Sequence, residues 1–377
     1  MPGLYVHVPF CEHKCIYCDF YSIETFDLHG AYLDTVTREI ALRSQTDVPV
    51  ARRAPCTSVF FGGGTPSLLT PVELARVLDA LRAGFAVAPD AEITVECNPG
   101  TVDRAKLDGF RRAGVNRLSF GVQSFHADDL AFLTRIHSAE DAERAVRDAR
   151  AAGFENINVD LMFSLPGQTA ERWLANLHRA LELGTTHLSC YSLTVERGTA
   201  LSAMYDKGLV TLPGEESDAD LFELTMQTLA AEGFHHYEVS NYARPGFECR
   251  HNLTYWRHEE YLGFGPSAHS TWNGRRSWNV SSLGAYVEQM SSGTLPVAGG
   301  EDLTMEMLRE EYIYLRLRSE GIVRGEFRAR FGGDVIEENF ALVERCLREG
   351  LLVLDGDVLR LTPAGFTVCD ELCTELN

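Results

Sequence analysis

Short apolar runs alternate with longer amphipathic stretches from one end of the chain to the other. The runs are rich in Val, Ile, Leu and Phe and end at glycine or polar residues, which is typical of buried strands. In the intervening stretches, apolar residues recur at helical spacing, as at Leu74, Val77, Leu78 and Leu81, and predict amphipathic helices. The predicted strands are Leu4–Val8, Ser58–Phe61, Ile93–Glu96, Arg117–Phe120, Ile157–Phe163 and His187–Leu193.

The order of these elements, a strand followed by a helix in about six successive units, predicts an α/β fold with a parallel sheet. Such a series favours a partial (β/α) barrel of the TIM type, closed or nearly closed. An open doubly wound sheet remains the alternative, because the apolar period does not distinguish the two architectures. In a barrel the chemistry gathers at the carboxyl ends of the strands, which is where polar residues interrupt the apolar pattern here.

The last part of the chain has the pattern of a second, smaller unit. Helical spacing gives way to two apolar runs on either side of Asp355-Gly356, a sequence typical of a β-hairpin. Thr362-Pro363 then marks the start of another helix. Helices followed by a short hairpin predict a small winged-helix-like module. We therefore expect a barrel over residues 1–295 and this module over residues 300–377.

Charge and composition narrow the possible partners. The 377 residues include 54 Asp and Glu against 34 Lys and Arg, a formal net charge of −20. A surface that acidic disfavours nucleic acid and anionic membranes as partners. No apolar run approaches the roughly 20 residues of a membrane-spanning helix. The first residues lack the features of a secretory signal, so ten cysteines in one chain predict a cytoplasmic protein with cysteines that bind metal.

Three of those cysteines, Cys11, Cys15 and Cys18, stand close together after the first predicted strand. Three thiolates on one loop hold three corners of a cuboidal iron–sulfur cluster and leave the fourth iron open, whereas four cysteines are usual. A structural zinc ion bound by the same cysteines with His7 or His13 is the alternative at this spacing.

Further candidate binding residues follow the next predicted strands. The turn 62–66 reads Gly-Gly-Gly-Thr-Pro, which allows close approach of a ligand to the backbone but lacks the Lys-Ser/Thr of a phosphate loop. Glu96 and Gln123 stand at or near the ends of two strands. Asp160 interrupts a strand that should be largely buried, and a buried aspartate requires polar partners. The sequence therefore predicts a polar barrel interior.

Taken in order, these motifs resemble those of the radical S-adenosylmethionine (SAM) superfamily, specifically the anaerobic coproporphyrinogen III oxidase-like family, over essentially the whole chain. The resemblance implies a [4Fe-4S] cluster on the three cysteines, SAM chelating the open iron, and an electron donor for the cluster. It implies that the glycine-rich turn holds the methionyl amino group and the glutamate the SAM hydroxyls, while an arginine fork suits the carboxylate. The SAM-binding residues implied in this way are Tyr5, Tyr17, Gly63, Gly64, Thr65, Glu96, Gln123, Arg135 and Asp160.

The segment 249–256, Cys-Arg-His-Asn-Leu-Thr-Tyr-Trp, resembles a stretch of the HemW-type haem chaperones, a branch that binds haem and passes it to acceptor proteins. Phe20 stands where the oxidases have a further cysteine, and ten residues precede Cys11 where the oxidases have a longer extension. Both departures make oxidase activity doubtful, although a radical SAM porphyrinogen oxidase and an iron–sulfur sensor with a winged-helix output remain alternatives. A homodimer is possible. The resemblance implies haem contacts from His251, as iron ligand, and from Cys249, Tyr255 and Trp256.

Overall fold

A twisted sheet forms the centre of the computed structural model, which describes residues 2–46 and 55–376. The first predicted domain starts at Met1 and the second ends at Asn377, and these two residues lie outside the described ones. The first six strands are parallel and neighbour one another in chain order. They are β1 (Gly3–Val8), β2 (Cys56–Gly63), β3 (Val87–Cys97), β4 (Arg117–Gln123), β5 (Asn156–Phe163) and β6 (His187–Ser192).

This strand order decides between the two predicted architectures. A doubly wound sheet reverses its strand order at a switch point, whereas barrel strands follow one another in sequence. The parallel strands here follow in sequence without reversal, so the α/β prediction with a barrel-type sheet of six units is confirmed. The described strands form an open arc, because β1 and β6 do not pair with each other.

Additional strands extend the sheet at both ends. Beside β1 the sheet continues through a parallel strand and then an antiparallel extension, and beside β6 it ends in an antiparallel pair. These strands are β7 (His235–Glu238), β8 (Asn241–Ala243), β9 (Tyr261–Phe264), β10 (His269–Trp272), β11 (Arg275–Asn279) and β12 (Val297–Asp302).

Helices connect the parallel strands and cover the outside of the sheet, as the apolar spacing predicts. In α2 (Pro71–Gly84), Thr70 and Glu73 form a capping box at the amino end, and the apolar face, which includes Leu74 and Leu81, is buried. No helix among the described residues is both long enough and apolar enough to cross a bilayer. The other helices up to residue 291 are α1 (His29–Thr46), α3 (Arg104–Ala113), α4 (Ala127–Phe132), α5 (Ala139–Ala151), α6 (Ala170–Glu182), α7 (Ala200–Asp206), α8 (Glu215–Ala231), α9 (Arg250–Trp256) and α10 (Leu283–Ser291).

The carboxyl-terminal module has its own sheet, in the order β13-β15-β14. Its order of helix, strand, helices and hairpin is that of a winged helix, which confirms the predicted fold of this part. β12 pairs with β11 as far as Asp302, so we propose that the module begins after this strand rather than at residue 300. Its elements are α11 (Met305–Leu317), β13 (Ile322–Val323), α12 (Arg324–Phe331), α13 (Val335–Glu338), α14 (Phe340–Arg348), β14 (Leu352–Asp355), β15 (Val358–Leu361), α15 (Pro363–Phe366) and α16 (Cys369–Glu375).

Candidate cofactor site

The carboxyl ends of β1–β6 surround a cavity of about 160 Å³. Three predicted residues lie directly behind its lining. The Tyr5 ring lies beside Gly62, Cys11 Sγ accepts a hydrogen bond from Thr65 Oγ1 at 3.4 Å, and Cys15 Sγ accepts one from Arg135 Nη1 at 3.3 Å. The other predicted cluster and SAM residues line the cavity itself: Tyr17, Cys18, Gly63, Gly64, Thr65, Glu96, Gln123, Arg135 and Asp160.

The loop with the three cysteines is held in place by backbone hydrogen bonds. Cys11 N donates to Ile23 O at 2.9 Å, and Cys18 N donates to Cys15 O at 3.2 Å. Burial, together with negative charge on Cys11 and Cys15, raises the pKa of the Cys18 thiol to about 11, against the opposing effect of a hydrogen bond from the Phe20 backbone. Cationic iron would relieve the repulsion among the three thiolates.

The zinc alternative needs a histidine beside the three cysteines, whereas a cuboidal cluster receives each thiolate on a separate iron. Among residues 2–46 and 55–376, no group of three His, Cys, Asp or Glu side chains is arranged to hold a metal ion. Both ring nitrogens of His7 have other partners, since Nδ1 lies 3.2 Å from Tyr5 Oη and Nε2 lies 2.8 Å from Tyr21 O.

The glycine-rich turn packs tightly against the cysteine loop. Gly63 has a φ of 108°, and a Cβ there would lie 2.6 Å from the His7 ring. A Cβ on Gly64 would lie 2.7 Å from Phe10 O, while Thr65 N donates to that same oxygen at 2.7 Å. Larger residues would push the turn away from the cysteines, so glycine is required for this close approach.

Two carboxyl groups face the cavity. Burial, and then the nearby charge of Asp160, raises the pKa of Glu96 to about 8, although Gly63 N donates to Glu96 Oε2 at 3.2 Å. Burial also raises the pKa of Asp160, against the opposing effect of hydrogen bonds from Ser189 and Asn158. Such a pair suits a ligand that carries positive charge and two ribose hydroxyl donors, as SAM does.

Arg135 and Gln123 form the facing wall. Gln123 sits at an irregularity in the β4–β5 pairing with a φ of 71°, and its Oε1 accepts a hydrogen bond from Tyr191 Oη at 2.7 Å. Arg135 Nη2 donates to Gly121 O at 2.5 Å, but the buried Nε has no hydrogen-bond partner. A buried, partly unpaired guanidinium suits an anionic group such as the SAM carboxylate.

Sequence reasoning missed several residues of this cavity, among them Ser119, Tyr191 and Phe20. Every second residue of a strand lies on the same face, so Ser119 shares a face of β4 with Gln123. Tyr191 occupies an equivalent inward position on β6. The two-residue period of β4 and β6 was therefore the available signal. Phe20 lies on a loop, where no such period exists.

The four predicted haem residues lie elsewhere. His251 is 1% exposed, its Nδ1 is 2.9 Å from Ser58 Oγ, and its Nε2 is 2.8 Å from Tyr255 Oη. Ser58 is near the amino end of β2, about 17 Å from Gly63 at the other end for a rise of about 3.3 Å per residue. The segment 249–256 thus closes the end of the barrel opposite the cysteines.

The polar groups at the start of this segment form hydrogen bonds with a buried carboxylate. Cys249 is fully buried, burial raises the pKa of its thiol to about 12, and its Sγ donates to Glu92 Oε1 at 3.4 Å. The same carboxylate accepts from the backbone N–H groups of Arg250 and His251, at the amino end of α9. Tyr255 and Trp256 are partly exposed. In this packing both ring nitrogens of His251 and the thiol of Cys249 have partners within the protein, and the expected contact of these residues with haem stays a prediction.

Comparison with known proteins agrees with the geometry of the cavity. Residues 5–180 match the model of the radical SAM superfamily, and residues 303–368 match that of the HemN C-terminal domain. "Heme chaperone HemW" of Mycobacterium tuberculosis (strain ATCC 25618 / H37Rv) is 39% identical, with 99% of this chain and 94% of the relative covered. "Heme chaperone HemW" of Bacillus subtilis (strain 168) is 36% identical, with 99% and 98% covered. The chain belongs to the HemW family.

A solved structure gives the same fold. Coproporphyrinogen III oxidase (HemN) from Escherichia coli, a radical SAM enzyme, superimposes with a TM-score of 0.84 at 26% identity and covers 100% of this chain and 90% of its own. Membership of the radical SAM superfamily implies SAM and a [4Fe-4S] cluster as cofactors. The cavity has the donors that both require.

Proposed function

We propose that the protein is a haem chaperone that binds haem and transfers it to acceptor proteins, with a SAM-coordinated [4Fe-4S] cluster on Cys11, Cys15 and Cys18. The observation that carries the proposal is the cavity lined by Cys18 and polar side chains, with Cys11 and Cys15 directly behind it, in a chain that matches HemW relatives along 99% of its length. The proposal includes a reducing cytoplasm, which keeps the thiols available, and an electron donor for the cluster.

The residues of the chain have distinct tasks in this proposal. When bound, the cluster and SAM would supply reductive chemistry at the open iron. Arg135 pairs with the carboxylate of SAM, Glu96 accepts from its hydroxyl groups, and Asp160 balances its positive charge. The turn at Gly63 and Gly64 keeps the ligand against the cysteine loop.

We place haem in the spaces that adjoin this cavity. A second chamber of about 440 Å³ shares Tyr17, Phe20 and Tyr191 with it. A third space, of about 650 Å³, shares Tyr191 and Thr194 with the second chamber and reaches Phe366 of the module. Ligand pockets of drug-sized molecules measure about 300–1,000 Å³, so these spaces suit a macrocycle that the first cavity would not hold.

Haem titration of variants tests this location. Thr194 is exposed and lines both larger spaces, so Thr194→Trp should fill their junction without disturbing the core. We expect this variant to bind haem at least about 10-fold more weakly, equivalent to about 1.4 kcal/mol. Gln227→Trp, at an exposed position of α8, is the matched control and should bind haem like the parent. Unchanged affinity in Thr194→Trp would favour the surface at Tyr255 and Trp256 instead.

One observation favours a second function, porphyrinogen oxidation, namely the structural match to the E. coli oxidase over the whole chain. The reconstituted protein with SAM and reductant, incubated with coproporphyrinogen III and analysed by product chromatography, separates the two functions. We expect haem binding without decarboxylation, because Phe20 stands where the oxidases have a further cysteine. Repeated turnover to protoporphyrinogen IX would favour the oxidase. Size-exclusion chromatography of the haem-loaded protein reports whether the proposed chaperone is a homodimer.

A further inference from the structure

A chain of hydrogen bonds runs through the barrel interior and ends at the carboxylate of Asp160. Asn158 Nδ2 donates to Asp160 Oδ1 at 2.6 Å, and Asn158 Oδ1 lies 2.6 Å from His187 Nδ1. On the far side of the ring, His187 Nε2 lies 2.7 Å from Tyr237 Oη, which accepts a hydrogen bond from Cys249 N at 3.3 Å. The chain therefore connects the segment that closes one end of the barrel with the cavity at the other.

Asp160 fixes the direction of every bond in this chain. An ionised carboxylate only accepts hydrogen bonds, so the Asn158 atom that faces it must be the NH2 group. The same NH2 group lies 2.7 Å from Ser119 Oγ and 3.0 Å from Ser189 Oγ. The amide oxygen then faces His187, whose Nδ1 must carry the proton. Nε2 is left to accept from the tyrosine hydroxyl.

Burial restricts the chain to this arrangement. Asn158 is 1% exposed, His187 is fully buried and Tyr237 is 3% exposed. Burial holds the pKa of His187 well below its ordinary value, so the ring is neutral with one donor and one acceptor nitrogen. Because these side chains are buried, the removal of one member takes away one of the hydrogen bonds that orient its neighbour.

We propose that Asn158 and His187 are positioning residues that hold the Asp160 carboxylate in the orientation that contacts SAM. The proposal rests on the proposed SAM site. Asn158 acts directly, because its NH2 group fixes one carboxylate oxygen. His187 acts one step further away, because it makes the shortest hydrogen bond to the Asn158 amide oxygen, at 2.6 Å against 3.3 Å for Ser189.

Two substitutions of His187 separate this role from simple packing. In His187→Asn the side-chain NH2 takes the place of Nδ1 and keeps the bond to Asn158. In His187→Gln the side chain reaches the place of Nε2, which keeps the contact with Tyr237 but removes the 2.6 Å bond to the Asn158 amide oxygen and leaves that oxygen with only the Ser189 hydroxyl, 3.3 Å away. Loss of one buried orienting hydrogen bond corresponds to about a 5-fold change in affinity.

The measurement is anaerobic equilibrium titration of SAM into the cluster-reconstituted protein. We expect the SAM dissociation constant of His187→Asn to match the parent within about 2-fold and that of His187→Gln to rise about 5-fold, with equal cluster content in both. Equal affinities in the two variants, or the weaker binding in His187→Asn, would overturn the proposal. Asp160→Ala is the reference variant. Unchanged SAM binding by Asp160→Ala would show that Asp160 does not contact SAM.

A second variant keeps the test decisive if His187→Gln does not fold. Asn158→Leu has a similar shape but lacks the NH2 group that donates to Asp160. A hydrogen bond to a charged group contributes more than a neutral one, so we expect SAM to bind at least about 10-fold more weakly at pH 8. Parent-like affinity in Asn158→Leu would overturn the proposal.

A spectroscopic measurement checks the hydrogen-bond direction without SAM. ¹⁵N NMR of the histidine rings in the reconstituted protein reports which nitrogen carries the proton, and the difference from His187→Asn assigns the signals. We expect neutral His187 with the proton on Nδ1. A proton on Nε2 would reverse the chain and refute the positioning role.

Discussion

Replacement of His251 by alanine distinguishes a structural residue from a haem ligand. The substitution removes the hydrogen bonds to Ser58 Oγ and Tyr255 Oη and the ring that stacks on Phe60, 5.0 Å away between centroids. A buried polar group that loses its partner costs about 1–3 kcal/mol, and the cavity left by a large side chain adds to this. Because these contributions overlap, we expect the free energy of unfolding to fall by about 3 kcal/mol.

Urea denaturation with linear extrapolation measures this loss, and haem stoichiometry is measured separately by Soret absorption under native conditions. Tyr255→Phe is the matched control, because it removes one hydroxyl and keeps the ring; its expected cost is about 1 kcal/mol. Haem binding by folded His251→Ala should equal that of the parent. An unchanged free energy of unfolding together with lost haem binding would refute the reasoning and make His251 a ligand.

Three further predictions concern the cofactor site and the pH dependence. Replacing Cys11, Cys15 and Cys18 together by Ser should abolish the reconstituted cluster, and full iron and sulfide content in that variant would exclude the cluster site. Asp160→Ala should retain the cluster but bind SAM about 10-fold or more weakly in anaerobic titration, because a hydrogen bond to a charged group is lost. Burial raises the pKa of Glu238 from 4.5 to about 7, so between these pH values the folded state binds more protons than the unfolded state. The resulting contribution to the free energy of unfolding is fully present below pH 4.5 and is lost as the pH rises through 7. Glu238→Gln should therefore show a flatter dependence of unfolding free energy on pH between about 5 and 8, and a profile parallel to the parent would contradict it.

The parallel sheet was predictable from sequence, because buried strands and amphipathic helices leave distinct periods along the chain. Asp160 was recognisable as a cavity residue for a similar reason, since an acidic group in an apolar strand is costly unless it has partners. The period of β6 indicates that Tyr191 faces inward, but its contact with Gln123 was not predictable, because that contact depends on the register between β5 and β6 and on the irregularity at the end of β4.

The segment 249–256 shows a different limit. A histidine between polar residues and aromatics has the same sequence pattern whether it binds a cofactor or fills the end of a barrel. Its buried position depends on Glu92 and Ser58, which are more than 150 residues away in the chain. Tertiary contacts that the local pattern does not contain therefore account for the burial of His251.

The position of β1 has a consequence for the order in which the protein folds during synthesis. β1 pairs with β2 on one side and with β9, at Tyr261–Phe264, on the other, and the cysteine loop follows β1 directly. Until β9 has left the ribosome, one edge of β1 offers unpaired backbone groups to other chains. Pairing over such a sequence distance is slow, and the incomplete chain is prone to aggregate. The strand that precedes the cysteine loop is thus paired on both sides only after residue 264 has been synthesised, so we expect cluster insertion to follow translation of the barrel.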